Sequence, residues 1–549
     1  MTAAGALRQL ERWARREPGG DSAAVRALSR ARLSSARDIT RLHEALLFLA
    51  AYPHSQAEHR DAISLLDRFD RRADLRRFRH ALANSGIAGT EIHFPFFWFT
   101  ALWIARRWPE LLRVDWESFD KEEDLEPLLA LLLPYAESVA LDELTGAAQE
   151  WIRRLKRKDE TDGAFLVRRF AALAGDSFVK ELVYERLDLP LVLAPGPGTP
   201  SRTRDRLRVT RVAARPSGLD RRRPDLAAEW RRPLVSIRSC GAREADRLIA
   251  LARGAMITRS RDLNVFEHAD PQDVRLADAG DGLQFACLGV VPERRLLLES
   301  AYGFLTLQNG IPVGYVLLSG LFGSSEVAFN VFETFRGGEA GRVFGRVIAL
   351  ARAWFGSDAY TIGADQLGED NEEGLRSGAW WFYYKMGFRP HAAKVKRVLA
   401  GELRAMKRRP AHRSSFVKLV QLSSENLYWY ARRPRADVLG RVALGNIGLA
   451  ISKRLAERDG ADRERGVRDA ADEAQRLLGA RRSRASERLA WERWGPLVVA
   501  LPGIERWSSA DRRALADILR AKWNARESEF VPLFDRHLPL RRALLRLSR

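Results

Sequence analysis

The feature that most constrains the fold is a series of strand-like runs in the middle of a chain that is helical on both sides. Runs of this kind occupy residues 283–291, 302–322 and 326–332, and an Asn-Gly pair divides the second of them. Asn-Gly between apolar runs is a strong signal for a two-residue β-hairpin. Another strand-like run, at 233–239, is followed by a helical pattern over 242–256. The centre of the chain is therefore expected to combine a sheet with helices.

Periodicity and composition divide the 549 residues into four segments. Residues 1–193 place apolar side chains at three- and four-residue spacing, which predicts helices. Residues 194–233 are rich in Pro, Gly and Arg, which predicts a linker or surface loop, with an Arg-rich nucleic-acid-binding arm as the alternative. Residues 234–400 have the mixed pattern, and residues 401–549 return to the helical one. The predicted fold class is α+β, a mixed-sheet domain flanked by N- and C-terminal helical regions.

The charge of the chain is strongly basic but evenly spread. The formal net charge is +21, with 81 Arg against 11 Lys, and 46% of the residues are apolar. A high positive charge can indicate a polyanionic partner. Here the basic residues are distributed along the chain, and an excess of Arg over Lys with much Ala is typical of GC-rich bacterial genomes. The composition predicts packed cores and does not favour nucleic-acid binding.

The cysteine, histidine and hydropathy patterns bear on the cellular compartment, on metal binding and on membrane contact. Cys240 and Cys287 form neither a disulfide framework nor a metal-ligand spacing, and the nine His show no His-x-x-x-His pair. The first twenty residues lack the apolar core of a signal peptide. The most apolar stretch, residues 94–108, is too short to cross a bilayer and contains two arginines, so it predicts a buried helix. We expect a cytoplasmic protein with no metal and no membrane contact.

Chemistry is most strongly indicated at FRGGEAGRVFGRV, residues 335–347, which connects the strand-like run at 326–332 to a predicted helix at 338–356. The first N–H groups of a helix lack intrahelical partners, and the helix dipole adds positive charge there. Glycines let the backbone approach a ligand closely, so the stretch is a candidate anion site. The alternative is an ordinary strand-to-helix turn. The helix places Val343, Val347, Leu350 and Trp354 on one face, which we expect to be buried.

Two motifs at this position resemble a known family. The sequence VFETFRGGEAG, residues 331–341, is similar to V-x-P-x-x-R-G-x-G-x-G, and YYKMGF, residues 383–388, matches Y-x-K-x-G-F downstream of Asn371. On these motifs residues 234–400 resemble the GNAT (Gcn5-related N-acetyltransferase) superfamily, whose first motif is the signature strand and coenzyme A loop. The chain departs from the pattern at Glu333, in place of proline, and at Glu339, in place of the middle glycine.

The resemblance implies an acyl-CoA-dependent N-acyltransferase, with acetyl-CoA as the expected co-substrate and an amine as acceptor. The amine would attack the thioester directly in a ternary complex, with backbone donors polarising the carbonyl. The loop N–H groups would bind the pyrophosphate, and the signature strand would pair with the pantetheine arm. The cofactor-binding residues implied are Asn330, Val331, Phe332, Arg336, Gly337, Gly338, Glu339, Ala340, Gly341, Arg342 and Asn371.

Catalytic roles follow from the same resemblance and from the chemistry of acyl transfer. Tyr383 stands where many GNAT enzymes place the general acid that protonates the leaving thiolate. The alternative for Tyr383 is an aromatic core residue on a helix that already carries Trp380 and Trp381. The attacking amine must lose a proton, and Glu333 and Glu326 are the candidate bases, with Glu333 preferred. The alternative for Glu333 is a solvated carboxylate.

A non-catalytic GNAT-like module that binds a ligand or protein is the other functional hypothesis. Glu339 favours it, because a carboxylate within ~4–6 Å of a diphosphate costs roughly 3–4 kcal/mol per like-charge pair at an effective dielectric near 20. Arg336, Arg342 and Arg346 are close enough in sequence to offset this repulsion. The intact YYKMGF motif favours the enzyme. The helical regions are expected to provide acceptor specificity or partner contacts.

Overall fold

The computed structural model describes residues 2–16, 23–137, 139–140, 147–480 and 487–549. The chain forms two compact units. The first contains Met1–Leu219, Asp246–His268 and Leu307–Val313, and the second contains Asp220–Ala245, Ala269–Thr306 and Gly314–Arg549. The borders of the two units do not coincide with those of the four sequence segments. Each unit is built from three separate stretches of the chain.

The first unit is mainly helical. Its long first segment contains helices α1 (Ala3–Arg16), α2 (Ala23–Arg30), α3 (Ala36–Ala51), α4 (Gln56–Leu66), α5 (Ala73–Arg77), α6 (Trp98–Arg107), α7 (Glu122–Leu132), α8 (Ala148–Leu155), α9 (Asp162–Ala172) and α10 (Ser177–Leu187). It also contains strands β1 (Ile92–Phe94), β2 (Leu112–Val114) and β3 (Leu191–Leu193), which form an antiparallel sheet in the order β1-β3-β2. The sequence did not predict this sheet, because strands of three residues are too short for alternation to be visible.

Aromatic residues build the core of the first unit. The apolar stretch at 94–108 becomes α6, which confirms the predicted buried helix. Trp98 is 2% exposed, and its ring lies 5.2 Å from that of Tyr184 and 6.4 Å from that of Phe170. The aromatic run therefore serves packing. No helix of the described residues is long and apolar enough to cross a membrane.

Three further helices lie within residues 220–268. They are α11 (Leu226–Arg231), α12 (Ala242–Ile257), which crosses the border between the units, and α13 (Asn264–Glu267), which belongs to the first unit. Asp225 begins α11 by accepting hydrogen bonds from the N–H groups of Ala227 and Ala228. The Pro/Gly/Arg-rich segment thus ends in a capped helix.

The main sheet has eight strands in the order β11-β10-β9-β8-β7-β6-β5-β4. They are β4 (Ser236–Ser239), β5 (Ala269–Gly280), β6 (Leu283–Val290), β7 (Ser300–Gln308), β8 (Ile311–Leu321), β9 (Ser324–Val331), β10 (Ala359–Ile362) and β11 (Leu427–Tyr430). The sheet is mixed, because β10 runs parallel to β9 and antiparallel to β11. The α+β class with a mixed sheet is confirmed.

The predicted hairpin is present between β7 and β8. Asn309 and Gly310 have φ values of 50° and 79°, the left-handed conformation that a two-residue type I′ turn requires at both positions. Strands β5 and β11 were not predicted. Pro271 and three aspartates obscure the alternation of β5, and β11 is four residues inside a helical region.

Helices follow the parallel strands and fill the C-terminal part of the second unit. They are α14 (Ala340–Phe355), α15 (Ala364–Leu367), α16 (Glu372–Ser377), α17 (Ala379–Met386), α18 (Ala393–Arg408), α19 (Phe416–Ser423), α20 (Leu444–Asp459), α21 (Arg463–Leu478), α22 (Arg488–Ala500), α23 (Ser509–Trp523), α24 (Phe530–Arg536) and α25 (Leu538–Leu547). Residues 369–388 contain two helices and not one continuous helix, because Gly378 adopts φ 69° between α16 and α17.

Helix α14 packs on the sheet through its predicted face. Val343, Val347, Leu350 and Trp354 are each 5% exposed or less. The Trp354 ring lies 5.3 Å from those of both Tyr302 and Phe304, which project from β7. This packing fixes the start of α14 at the end of β9, where the candidate site lies.

Candidate active site

The second half of β9 extends beyond its parallel neighbour. Strand β10 pairs through Ala359–Thr361 with Ser324–Glu326, whereas β8 continues along β9 as far as Val331. The edge of Val327–Val331 that faces away from β8 therefore has no strand partner among the described residues. An unpaired strand edge offers backbone N–H and C=O groups to an extended ligand. Asn330, on this part of β9, also has a buried side-chain oxygen without a hydrogen-bond partner in the described chain.

The loop after β9 leads into the first turn of α14 by way of a 3-10 turn at Glu333–Phe335. Gly337 has φ 87°, and a Cβ there would meet no atom within 4 Å, so conformation and not space requires glycine. A Cβ on Gly341 would lie 3.3 Å from both Met386 and Pro224. The two glycines therefore have different purposes, the first to turn the chain and the second to allow close packing.

Glu339 is held in a buried ion pair. Its residue is 1% exposed, and its carboxylate accepts hydrogen bonds from Arg342 Nε at 2.6 Å and from the Asp220 backbone N–H at 3.1 Å. It is the N-cap residue of α14 but accepts no capping hydrogen bond from that helix. Its negative charge is compensated by Arg342, so the repulsion expected for a bound diphosphate is largely offset.

Part of the predicted linker packs on this loop. Arg221 Nε donates to the Gly337 carbonyl at 3.0 Å, and Pro224 approaches the start of α14 near Gly341. Farther along, Glu229 on α11 pairs with the buried Arg346 of α14 at 3.0 Å. Arg221, Arg222 and Arg223 are exposed residues, and the Arg222 guanidinium pairs with Asp220 at 3.0 Å. The packing of this segment on the loop could not be predicted from sequence patterns, because more than a hundred residues separate its two sides.

Tyr383 lies on α17 and reaches the unpaired part of β9. It is 3% exposed and forms a hydrogen bond with the backbone of Phe329. Burial raises its pKa strongly, and that hydrogen bond opposes the rise. Its ring lies 5.4 Å from that of Phe344 on α14, so the residue also belongs to the core. Both roles proposed for it from the sequence, a phenol at the strand edge and an aromatic core residue, are compatible with this position.

Glu326 lies on β9 with two other carboxyl groups close by. Burial, and then the neighbouring Asp365 and Glu299 carboxylates, raise its pKa to about 7. Its Oε1 lies close to Gly363, which follows β10, since a Cβ added to that glycine would be 3.3 Å from this oxygen. Glu333, the base preferred from sequence, is exposed on the 3-10 turn. A carboxyl that titrates near neutral pH is the better proton acceptor.

The other residues named from sequence have mainly structural contacts. Asn371 caps α16 by accepting the Gly374 N–H at 3.0 Å, and it donates to the Asp365 carbonyl at 2.9 Å. Arg336 pairs with Glu373. Val331 and Phe332 lie at the end of β9, where the Phe332 ring packs 6.0 Å from that of Tyr315. Gly338 donates to the Phe335 carbonyl, and Ala340 begins α14.

Comparisons with protein-family models, with curated proteins and with solved structures find no significant match to this chain. The functional argument therefore depends on the residues and geometry described above.

Proposed function

We propose that residues 234–400 form a GNAT-like domain that binds an acyl-CoA, with acetyl-CoA as the expected co-substrate, and transfers the acyl group to an amine. The observation that carries the proposal is the unpaired half of β9, which has the glycine loop at its end and the Tyr383 phenol against its backbone. The pantetheine arm would pair with this strand edge, and the diphosphate would lie at the first turn of α14.

The residues around the strand could perform each proton transfer. The amine nitrogen attacks the thioester carbonyl carbon, and the C–S bond breaks as the C–N bond forms. Glu326 takes the proton that the amine loses, and Tyr383 donates a proton or hydrogen bond to the departing thiolate. Backbone N–H groups of β9 polarise the carbonyl oxygen. Glu326 thus replaces Glu333 as the proposed base.

Arg221, Arg222 and Arg223 would add positive charge for the phosphates of the co-substrate. Guanidinium groups bind phosphate through charge-assisted hydrogen bonds. Replacing all three by Gln should weaken acetyl-CoA binding about tenfold, which corresponds to roughly 1.4 kcal/mol. Isothermal titration calorimetry measures this change, and the triple variant R231Q/R232Q/R243Q is the charge-matched control.

The segment at 220–223 also supports a second candidate function, that of a non-catalytic module that binds a ligand or protein. Asp220 and Arg221 both hydrogen-bond the loop, at Glu339 and Gly337, so the chain itself occupies part of the surface that a coenzyme would use. In that case the triple substitution at 221–223 would leave acetyl-CoA binding unchanged or make it tighter.

The experiment that tests the enzyme is calorimetry with acetyl-CoA followed by assays of CoA release with a panel of amines. We expect saturable binding and amine-dependent release. Tyr383→Phe should lower kcat without changing the binding constant, because the phenol acts on the leaving group. Absence of binding at millimolar acetyl-CoA would exclude the proposal, and an unchanged kcat in the variant would remove Tyr383 from the reaction.

A further inference from the structure

Two carboxylates and an imidazole meet inside the first unit. Glu181 lies on α10, Glu267 ends α13 and His268 follows it. One ligand atom from each lies within 4.8 Å of those of the other two. His268 Nε2 is 3.6 Å from Glu181 Oε1 and 4.0 Å from Glu267 Oε2. The group is well buried, with exposed side-chain fractions of 6% for His268, 1% for Glu267 and 13% for Glu181.

Helix capping explains part of this arrangement. The N–H groups of Phe97, Trp98 and Phe99 at the start of α6 donate to Asp262 Oδ2 at 2.8 Å, Glu185 Oε1 at 3.4 Å and Glu267 Oε1 at 2.7 Å, listed in that order. Such carboxylates satisfy the unpaired donors of a helix start. Capping uses only one oxygen of Glu267. Its Oε2 is buried, faces His268 and has no hydrogen-bond partner among the described residues.

Several charged groups lie near Glu267. The carboxyl groups facing it are those of Asp262, Glu185 and Glu181. Among the described residues Glu267 forms no ion pair with a Lys or Arg side chain, since the nearby Arg253 donates its hydrogen bonds to the backbone carbonyls of Phe266 and Glu267. A buried carboxylate without a cation is costly unless it binds a proton or a metal ion.

We propose that Glu181, Glu267 and His268 bind a divalent transition-metal ion, with zinc as the expected ion, through two carboxylate oxygens and one imidazole nitrogen. Carboxylate and imidazole are ordinary zinc ligands, and a tetrahedral site with bonds of about 2.0–2.2 Å places its ligand atoms roughly 3.3–3.6 Å apart. The separations of 3.6 and 4.0 Å from His268 Nε2 approach this geometry, and the two carboxylate oxygens, which lie within 4.8 Å of each other, would move closer together on binding. The ion would connect α10 to the end of α13 and compensate the buried carboxylates of Glu181 and Glu267.

Zinc binding can be measured on the untagged full chain. Protein stripped with a chelator and dialysed would be titrated with Zn²⁺, and its metal content measured by mass spectrometry. We expect about one tightly held equivalent, a higher Tm with Zn²⁺ than with chelator, and visible absorption typical of tetrahedral coordination when Co²⁺ replaces Zn²⁺. Failure of Zn²⁺, Mn²⁺ and Fe²⁺ each to bind or to raise the Tm would overturn the proposal.

A matched pair of histidine variants assigns the binding to this site. His268→Ala should weaken Zn²⁺ binding roughly 100-fold or more, since even loss of a group that only supports a ligand costs about 10–100-fold. His93→Ala is the control, because His93 also faces two carboxylates, Glu91 at 3.5 Å and Asp115 at 3.2 Å, but is 33% exposed. Equal zinc affinity in the two variants would contradict the assignment. If His268→Ala does not fold, Glu267→Gln, whose amide is a close steric match for the acid, gives the same test.

Discussion

Two clusters of buried charge, one in each unit, differ in their balance. In the second unit the carboxylates Asp270, Asp273 and Glu527 face the cations Arg275, Arg295 and Lys522, and Lys522 Nζ lies 2.5 Å from Glu527 Oε1. In the first unit Glu267 lies among the carboxyl groups of Asp262, Glu185 and Glu181, and among the described residues it forms no ion pair with a Lys or Arg side chain. A buried carboxylate in an ion pair contributes to the fold, whereas one without a cation indicates a proton or ion that the protein has to bind.

Glu326 resembles Glu267 in this respect. Its neighbours Asp365 and Glu299 are both acidic, and its pKa is raised to about 7. Glu339 instead resembles the ion-paired carboxylates of the second unit, because Arg342 compensates its charge. The comparison therefore divides buried carboxylates into those expected to matter for stability and those expected to matter for binding or chemistry. The predictions below test that division from the largest effect to the smallest.

Breaking the balanced cluster should have the largest effect. Lys522→Met should lower the free energy of unfolding by about 3–5 kcal/mol, because it leaves Glu527 buried without its closest cation. Urea denaturation followed by fluorescence measures the loss. Lys453→Met is the control, since Lys453 and its partner Glu457 are 78% and 67% exposed and should contribute less than about 1 kcal/mol. Recovery of stability in the double variant K522M/E527M would confirm that the loss comes from the unpaired charge.

Glu326→Gln should lower kcat of acyl transfer about 10²-fold, because the amide cannot accept the amine proton. In the wild type the rate should rise with pH through about 7, since Glu326 becomes the basic carboxylate above its pKa. The groups that face it, Asp365 and Glu299, keep that pKa high. The pH–rate profile measures both effects. Glu333→Gln, at an exposed position, should stay within about twofold of wild type, and a larger loss there would restore Glu333 as the base.

Glu339→Gln should lower stability by roughly 1.5–2 kcal/mol, because Arg342 loses a charge-assisted hydrogen bond in a buried setting. It should change acetyl-CoA affinity by less than about threefold, since the carboxylate is already compensated. Chemical denaturation and calorimetry measure the two quantities. Glu373→Gln, which removes the exposed partner of Arg336, serves as the control for stability. Clearly tighter coenzyme binding in E339Q would show that Glu339 does repel the phosphates.

In metal-free protein, the pH dependence of stability should distinguish the cluster around Glu267 from the ion-paired cluster of the second unit. The pKa of Glu267 is about 8 when folded against an ordinary value near 4.5, so the native state holds this proton more tightly than the unfolded state. Stability should therefore fall as pH rises from about 4.5 to about 8 and then level off. Glu267→Gln should reduce that fall by at least about 1 kcal/mol, and zinc should also reduce it in the wild type. An unchanged pH dependence in E267Q would contradict the assigned environment.

Much of the main sheet and of α14 follows from local sequence. The Asn309–Gly310 hairpin, the strands at 283–290 and 324–331 and the buried face of α14 agree with the patterns of turn and apolar residues. Strand β5 was missed because Pro271 and its aspartates break the alternation, and its charged residues are tolerated there because Arg275 and Arg295 pair with them. The candidate site was only partly predictable: the sequence singled out Tyr383, but it ranked Glu326 below Glu333, because the burial of the first and the exposure of the second depend on the tertiary structure.

The sequence by itself determined the features that depend on a few neighbouring residues. A left-handed turn needs glycine or asparagine at a given position, and an amphipathic helix needs apolar side chains at a given spacing. Only the tertiary structure decided which carboxylates are compensated. Glu339 receives a hydrogen bond from Asp220, and Glu267 meets Glu181, across 119 and 86 residues of chain. A carboxylate's pKa depends on burial and on charges within a few ångströms, and those are set by which distant segments fold together.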